Sequence, residues 1–126
     1  MPNLFLVMLG GAFGSAARYL VSRAEVALFG AAFPWGTLTV NIVGGFLMGL
    51  LGAGLMRFGE EAEQARLLLG VGVLGGFTTF SSFSLETFAM IERGDLVVAI
   101  GYVLASVIGA IGAVAIGMTL ARAVTA

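Results

Sequence analysis

The sequence has no cysteine and no histidine, and all six of its basic residues are arginine. Without cysteine there is no disulfide framework, and without either residue there is no zinc site of the usual kind. Without histidine, cysteine or lysine, a nucleophile–base pair has almost nothing to be built from. A serine–glutamate pairing remains on paper, but nothing provides an oxyanion site, so the chain reads as a non-enzyme. Charge is scarce too. Only 10% of the residues are charged, against about 25% in a typical soluble domain. The net charge is −1, which gives no reason to expect nucleic acid or a polybasic lipid contact. What is abundant is apolar surface: 60% hydrophobic residues over 126, with a mean hydropathy of +1.09. The expected class is an all-α integral membrane protein. The start, MPNLFLVMLGGAFG, lacks the cationic opening of a secretory signal and reads as the beginning of a first span.

A membrane-crossing helix needs about 20 mostly apolar residues. Charges and turn residues divide the chain into four such stretches: about Asn3 to Leu20, Trp35 to Met56, Leu67 to Ile91 and Leu96 to Leu120. They form one domain covering 1–126, with loops short enough to make successive helices antiparallel neighbours. Arginines near span ends normally set the orientation. Here Arg57, Arg66 and Arg122 lie on one side and Arg18, Arg23 and Arg93 on the other. The tie leaves two readings open: an orientation set by something else, or insertion both ways with assembly as an antiparallel pair.

Glycine is common at 20 residues, and much of it is spaced by four inside the spans: Gly10 and Gly14, Gly45 and Gly49, Gly72 and Gly76. Small residues so spaced let helix backbones approach closely in lipid. For most of them, plain packing is the expected role.

Polar residues inside spans must find partners or line a wet path. Asn41 in GTLTVNIVGG has Thr37 one turn before it, and suits either an interhelical hydrogen bond or a path. Tyr102 and Ser106 share a face of the fourth span, where Tyr102 could also serve as an interfacial aromatic. Arg18 could snorkel to headgroups or stand at the mouth of an anion path.

The densest mixture is GGFTTFSSFSLETF, residues 75–88. Gly75 and Gly76 are poor helix formers and two threonines follow at once, so the third helix is expected to break there. Backbone freed by a break is tolerated only in protein or along a cavity, and freed carbonyls can hold a cation such as Na⁺. Beyond the break, Phe80 and Phe83 share a face, and Thr79, Ser82 and Glu86 form a neighbouring stripe. Some of these hydroxyls are expected to bond back to their own helix. No carboxylate ring draws cations, and no mid-span cation traps anions. Ring edges are electropositive, and with hydroxyl and amide donors they suit a small hard anion. The residues alone do not name the ion.

GGFTTFSSF resembles the signature of the Fluc/CrcB fluoride channels, usually Gly-Gly-x-Thr-Thr-Phe-Ser-Thr-Phe, with Ser82 standing where threonine is frequent. GTLTVNIVGGFLMG is similar to that family's second-span motif and GGAFGSAARY to its first. The resemblance covers the whole chain. It implies four spans, a third helix broken mid-membrane, and an antiparallel dual-topology homodimer with two pores. It implies passive export of F⁻ from the cytoplasm across a bacterial plasma (inner) membrane. On this likeness, Phe80 and Phe83 present ring edges to fluoride and Asn41 is the pore amide. Ser82, Tyr102, Ser106, Thr37 and Thr79 form a polar track, and Arg18 sits at the vestibule. The backbone carbonyls of Gly75 and Thr78, from both subunits, hold a central structural Na⁺. Glu86 matches a position near the end of the track, with no role assigned. The rival is a small proton-coupled multidrug-type transporter, which needs an intramembrane acid; Glu86 is the one acid well inside a span. A purely structural subunit has no use for broken backbone in lipid.

Overall fold

A computed structural model describes residues 2–125. Helix α1, Asn3–Phe29, ends at Gly30, whose φ of 82° is open to glycine but strained for side-chain-bearing residues. It therefore outruns the apolar stretch by several residues. Arg18, Arg23 and Glu25 mark where hydrophobicity falls, but none of them breaks a helix. Helix α2, Trp35–Leu55, follows Pro34, whose fixed φ suits a helix start. A 3-10 segment, Met56–Ala62, then turns the chain through Gly59. The next helical stretch, α3, covers 63–77, and its middle, Arg66–Leu74, is wound as a π-helix. Residues 78–80 are not helical, and Thr78 is fully extended at φ −86°, ψ 159°. Helix α4, Ser81–Glu92, resumes and closes at Gly94 (φ 85°), where Gly94 N–H bonds Ile91 O and Asp95 N–H bonds Met90 O. This double bond at a left-handed glycine is the Schellman stop. Helix α5, Leu96–Thr125, completes the chain.

The described residues contain helices and no strand. Three helical stretches are long and apolar enough to cross a membrane: Asn3–Phe29, the run Trp35–Glu92, and Leu96–Thr125. Their apolar windows are at most 28% buried, and large side chains such as Leu4, Phe13, Val97 and Ile108 are exposed. A soluble monomer rarely shows so much continuous apolar surface. The protein is an all-α, multi-pass membrane protein.

The four-spaced glycines sit where backbones touch. A methyl on Gly10 would strike Leu68 O, and one on Gly14 would strike Val73 O, which fixes α1 against the π-wound part of α3. A methyl on Gly49 would strike Val114 O, and one on Gly45 would lie 2.8 Å from Ala110 O, at the extensive α2–α5 contact. Without a hydrophobic drive between helices in lipid, this closeness maximises dispersion contact. A small core of Phe83, Met90, Ala99 and Tyr102 joins α4 to α5, with Phe33 and Leu38 packed on it.

Candidate functional site

The break at 78–80 displaces backbone donors, and each displaced group that finds a partner finds it in a side chain. In an unbroken α-helix the Thr79 N–H would point at Gly75 O. Instead it donates to Asn41 Oδ1 at 2.8 Å, while Asn41 Nδ2 donates to Thr79 O at 2.9 Å. One carboxamide from α2 thus serves both backbone groups of Thr79. Arg18 Nε donates to Gly76 O at 3.1 Å, replacing another lost helical donor. The Ser82 N–H, which would point at Thr78 O, bonds Thr79 Oγ1 at 3.2 Å. The diverted donors, Thr79 N–H and Ser82 N–H, are those that a regular helix would give to Gly75 O and Thr78 O.

Beside the break lies a cavity of about 390 Å³, lined by Asn41, Thr78, Thr79, Phe80, Phe83 and Ser106 among others. Phe80 is 78% exposed within this chain, whereas Phe83 is buried, and their ring centroids are 5.5 Å apart. The Phe83 ring continues to Tyr102 at 5.2 Å, and Tyr102 to Phe33 at 5.3 Å in an edge-to-face contact of 83°. Ser106, one turn from Tyr102, is buried, and its hydroxyl has no partner among the described residues. A buried unpaired hydroxyl is costly and calls for a reason. Here its residue borders the cavity.

The Tyr102 hydroxyl donates to Glu86 Oε1 at 3.0 Å, and Thr37 Oγ1 donates to Glu86 Oε2 at 3.0 Å. Thr37 and Glu86 line a second cavity of about 280 Å³, bordered also by Ser22, Glu25, Phe33 and Arg93. Phe83 in the first cavity, Tyr102 between, and Glu86 in the second form one connected series across the molecule.

The sequence-chosen residues therefore separate into groups. Asn41, Thr79, Phe80, Phe83 and Ser106 meet at the first cavity. Thr37 and Tyr102 meet on Glu86. Ser82 is half-buried at the start of α4, its N–H on Thr79. Arg18 lines neither cavity, and its Nε donates to the Gly76 carbonyl. Sequence reading missed Phe33, Trp35, Glu25 and Arg93. Trp35 enters that reading only as the start of the second stretch, although Phe33 and Trp35 flanking Pro34 beside a span are a readable sign of packing. The bond from Thr39 Oγ1 to Glu25 Oε1, at 3.1 Å, links α2 to the end of α1 and has no sequence signal.

Residues 5–118 match the model of the family described as CrcB-like protein, Camphor Resistance (CrcB). A protein of Sphingopyxis alaskensis named "Fluoride-specific ion channel FluC" is 57% identical over 122 residues, covering 97% of each chain. Proteins of the same name from Caulobacter sp. (strain K31) and Caulobacter vibrioides (strain NA1000 / CB15N) are 54% and 52% identical. They cover 97% and 100% of this chain, and 96% and 100% of their own. With residues 5–118 of its 126 matched by the family model and relatives above half identity over 97–100% of its length, this chain belongs to the CrcB family.

Proposed function

We propose that this chain is a fluoride-selective channel that lets F⁻ leave the cytoplasm passively, not an enzyme. The observation that carries the reading is the series Phe80, Phe83, Tyr102, which joins two cavities with Ser106 and Thr37 hydroxyls along it. Ring edges and hydroxyl protons replace part of the water shell of a small anion. No full positive charge lies along the series to hold it too long. Glu86 marks where two hydroxyl protons converge on a negative charge. A fluoride arriving there competes with the carboxylate for those donors, so Glu86 belongs to the path. Relatives above 50% identity bear the name of fluoride-specific channels, which supports the choice of ion.

The working unit is an antiparallel homodimer of four-span subunits with two pores, in a bacterial plasma membrane. Three observations support this: the even split of arginines, the turn at Gly59 that divides the run Trp35–Glu92, and the exposure of Phe80, which a second subunit would cover. Gly75 O and Thr78 O have lost their helical donors to Asn41 and Thr79, so they fit a hard cation. The Gly75 and Thr78 carbonyls from both subunits would hold a central Na⁺ at the dimer interface. When bound, the ion supplies positive charge that fixes the two broken helices against each other.

Export needs no energy input. HF crosses the bilayer, dissociates inside, and leaves F⁻ trapped. A potential negative inside then drives each anion outward by about 2.3 kcal/mol per 100 mV. The test is efflux from liposomes holding the purified protein, read with a fluoride electrode, with chloride in parallel. Rapid fluoride release with little chloride release is expected, and no release from folded dimers refutes the reading. The position of Glu86 between two hydroxyls also suits a proton-coupled transporter. That rival requires flux tied to a proton gradient and uncoupled in Glu86→Gln; the channel reading requires flux that follows the fluoride gradient and voltage alone.

A further inference from the structure

The three arginines on this side, Arg18, Arg23 and Arg93, are differently placed; Arg23 lines neither cavity and lies 6.0 Å from the centroid of the Tyr19 ring. Arg18 lines neither cavity, and its Nε is committed to the Gly76 carbonyl. Arg93 lines the second cavity, and among the described residues it is the one cation bordering either of the two. It stands just past the end of α4, with its side chain 54% exposed. Its contact to Asp95, 3.4 Å from Nε and equally exposed, is the kind of surface pair that contributes little and leaves the guanidinium field open to water. Two carboxylates share the lining with it. Glu86 forms part of the lining with both oxygens on hydroxyls, and Glu25 borders it with one oxygen on Thr39. A mouth with two acids would repel F⁻ unless a cation offset them.

We infer that the second cavity is a water-filled mouth of the path and that Arg93 is its flux-setting charge, raising the local anion concentration against Glu25 and Glu86. The inference rests on the channel reading. Arg93 lines the second cavity and not the one beside Phe80 and Phe83, so its effect is on how often F⁻ arrives and not on which ion passes. The effect is therefore electrostatic at a distance and must fade with ionic strength. The Debye length falls from about 30 Å at 0.01 M to about 3 Å at 1 M. A unit charge about 6 Å from the ion in water changes its local concentration about threefold.

The experiment measures initial fluoride efflux from liposomes at one fixed fluoride concentration, with ionic strength raised by an impermeant salt from about 0.01 M to about 1 M. Arg93→Gln is expected to lower efflux about threefold at the low end and to match the parent at the high end. Glu25→Gln is expected to raise efflux at the low end only, and Arg93→Lys to behave as the parent. The fluoride-to-chloride ratio stays constant in all three. Equal efflux for Arg93→Gln and parent at low ionic strength overturns the inference, as does a deficit that persists at high ionic strength. A parent protein that passes no fluoride at all overturns the channel reading itself, so the two failures are distinct.

Discussion

Replacing Asn41 by alanine removes both partners of Thr79 at the point where the helix is broken. The carboxamide accepts from Thr79 N–H at 2.8 Å and donates to Thr79 O at 2.9 Å. A buried backbone group left without a partner costs about 1–3 kcal/mol, so two cost about 2–6. The adjoining cavity of about 390 Å³ can admit water to Thr79, which puts the expected loss in the lower half, about 2–4 kcal/mol. Asn41→Asp differs in kind. It keeps an acceptor for the Thr79 N–H but loses the donor to Thr79 O and sets a carboxylate against that carbonyl. Its stability loss should be comparable, while its fixed negative charge should also stop fluoride outright. Equilibrium unfolding in mixed detergent micelles, followed by the fluorescence of the single tryptophan, Trp35, measures the first quantity. Liposome efflux measures the second. An Asn41→Ala protein within about 0.5 kcal/mol of the parent would refute the claim that this carboxamide holds the break together.

Three further outcomes test other parts of the site. Phe80→Ile and Phe83→Ile should both cut fluoride efflux, because the electropositive ring edge is lost. Phe83→Ile should also lose the more stability, since Phe83 is buried and contacts two rings, each contact worth about 0.5–1.5 kcal/mol, while Phe80 makes one such contact within the chain. Unchanged efflux in both would end the ring-edge mechanism. Ser106→Ala removes a buried hydroxyl that has no partner among the described residues, so unfolding should show equal or higher stability while efflux falls; a loss of stability would mean the hydroxyl is satisfied after all. Gly14→Ala drives a methyl into the Val73 carbonyl and should cost about 1–3 kcal/mol or prevent assembly. At Gly52, which has open space, alanine should be neutral or slightly stabilising. Similar thermal unfolding of the two variants would remove close backbone approach as the role of Gly14.

Much of the fold was legible because lipid makes local rules strict. Long apolar stretches, four-spaced glycines and the Gly-Gly-x-Thr-Thr break each follow from what a backbone can do without water. Helix ends were less legible. Hydrophobicity falls off at Arg18, yet the α-helix continues to Gly30, because charge ends an apolar stretch while φ ends a helix. The site was legible in its residue types and not in its pairings. Asn41 was open to two roles, interhelical bond or path, and the structure gives it both the bond to Thr79 and a place on the cavity wall. Glu86 could be placed near the end of a stripe, but its two hydroxyl partners come from α2 and α5, 49 and 16 residues away in sequence. No periodicity carries such separations.

The same distinction explains why so many hydroxyls crowd residues 78–88 when few of them can serve an ion. A hydroxyl has one proton to give. Thr78 donates its proton to Leu74 O, Ser84 to Phe80 O and Thr87 to Phe83 O, each four residues back along the chain. These bonds keep the hydroxyls satisfied in an apolar setting and remove them as anion donors. Thr79 shares a contact with Ser81 and accepts from the Ser82 N–H, so it orders the turn into α4. Ser106 is different: it is buried on the opposing helix α5, and its hydroxyl donates to nothing among the described residues. Thr37 and Tyr102 donate to the Glu86 carboxylate, with which an incoming anion would compete for those donors on the channel reading. On the channel reading proposed above, the motif builds the break and the rings, and the Thr37, Tyr102 and Ser106 hydroxyls from α2 and α5 add to the Ser82 hydroxyl as donors to the ion.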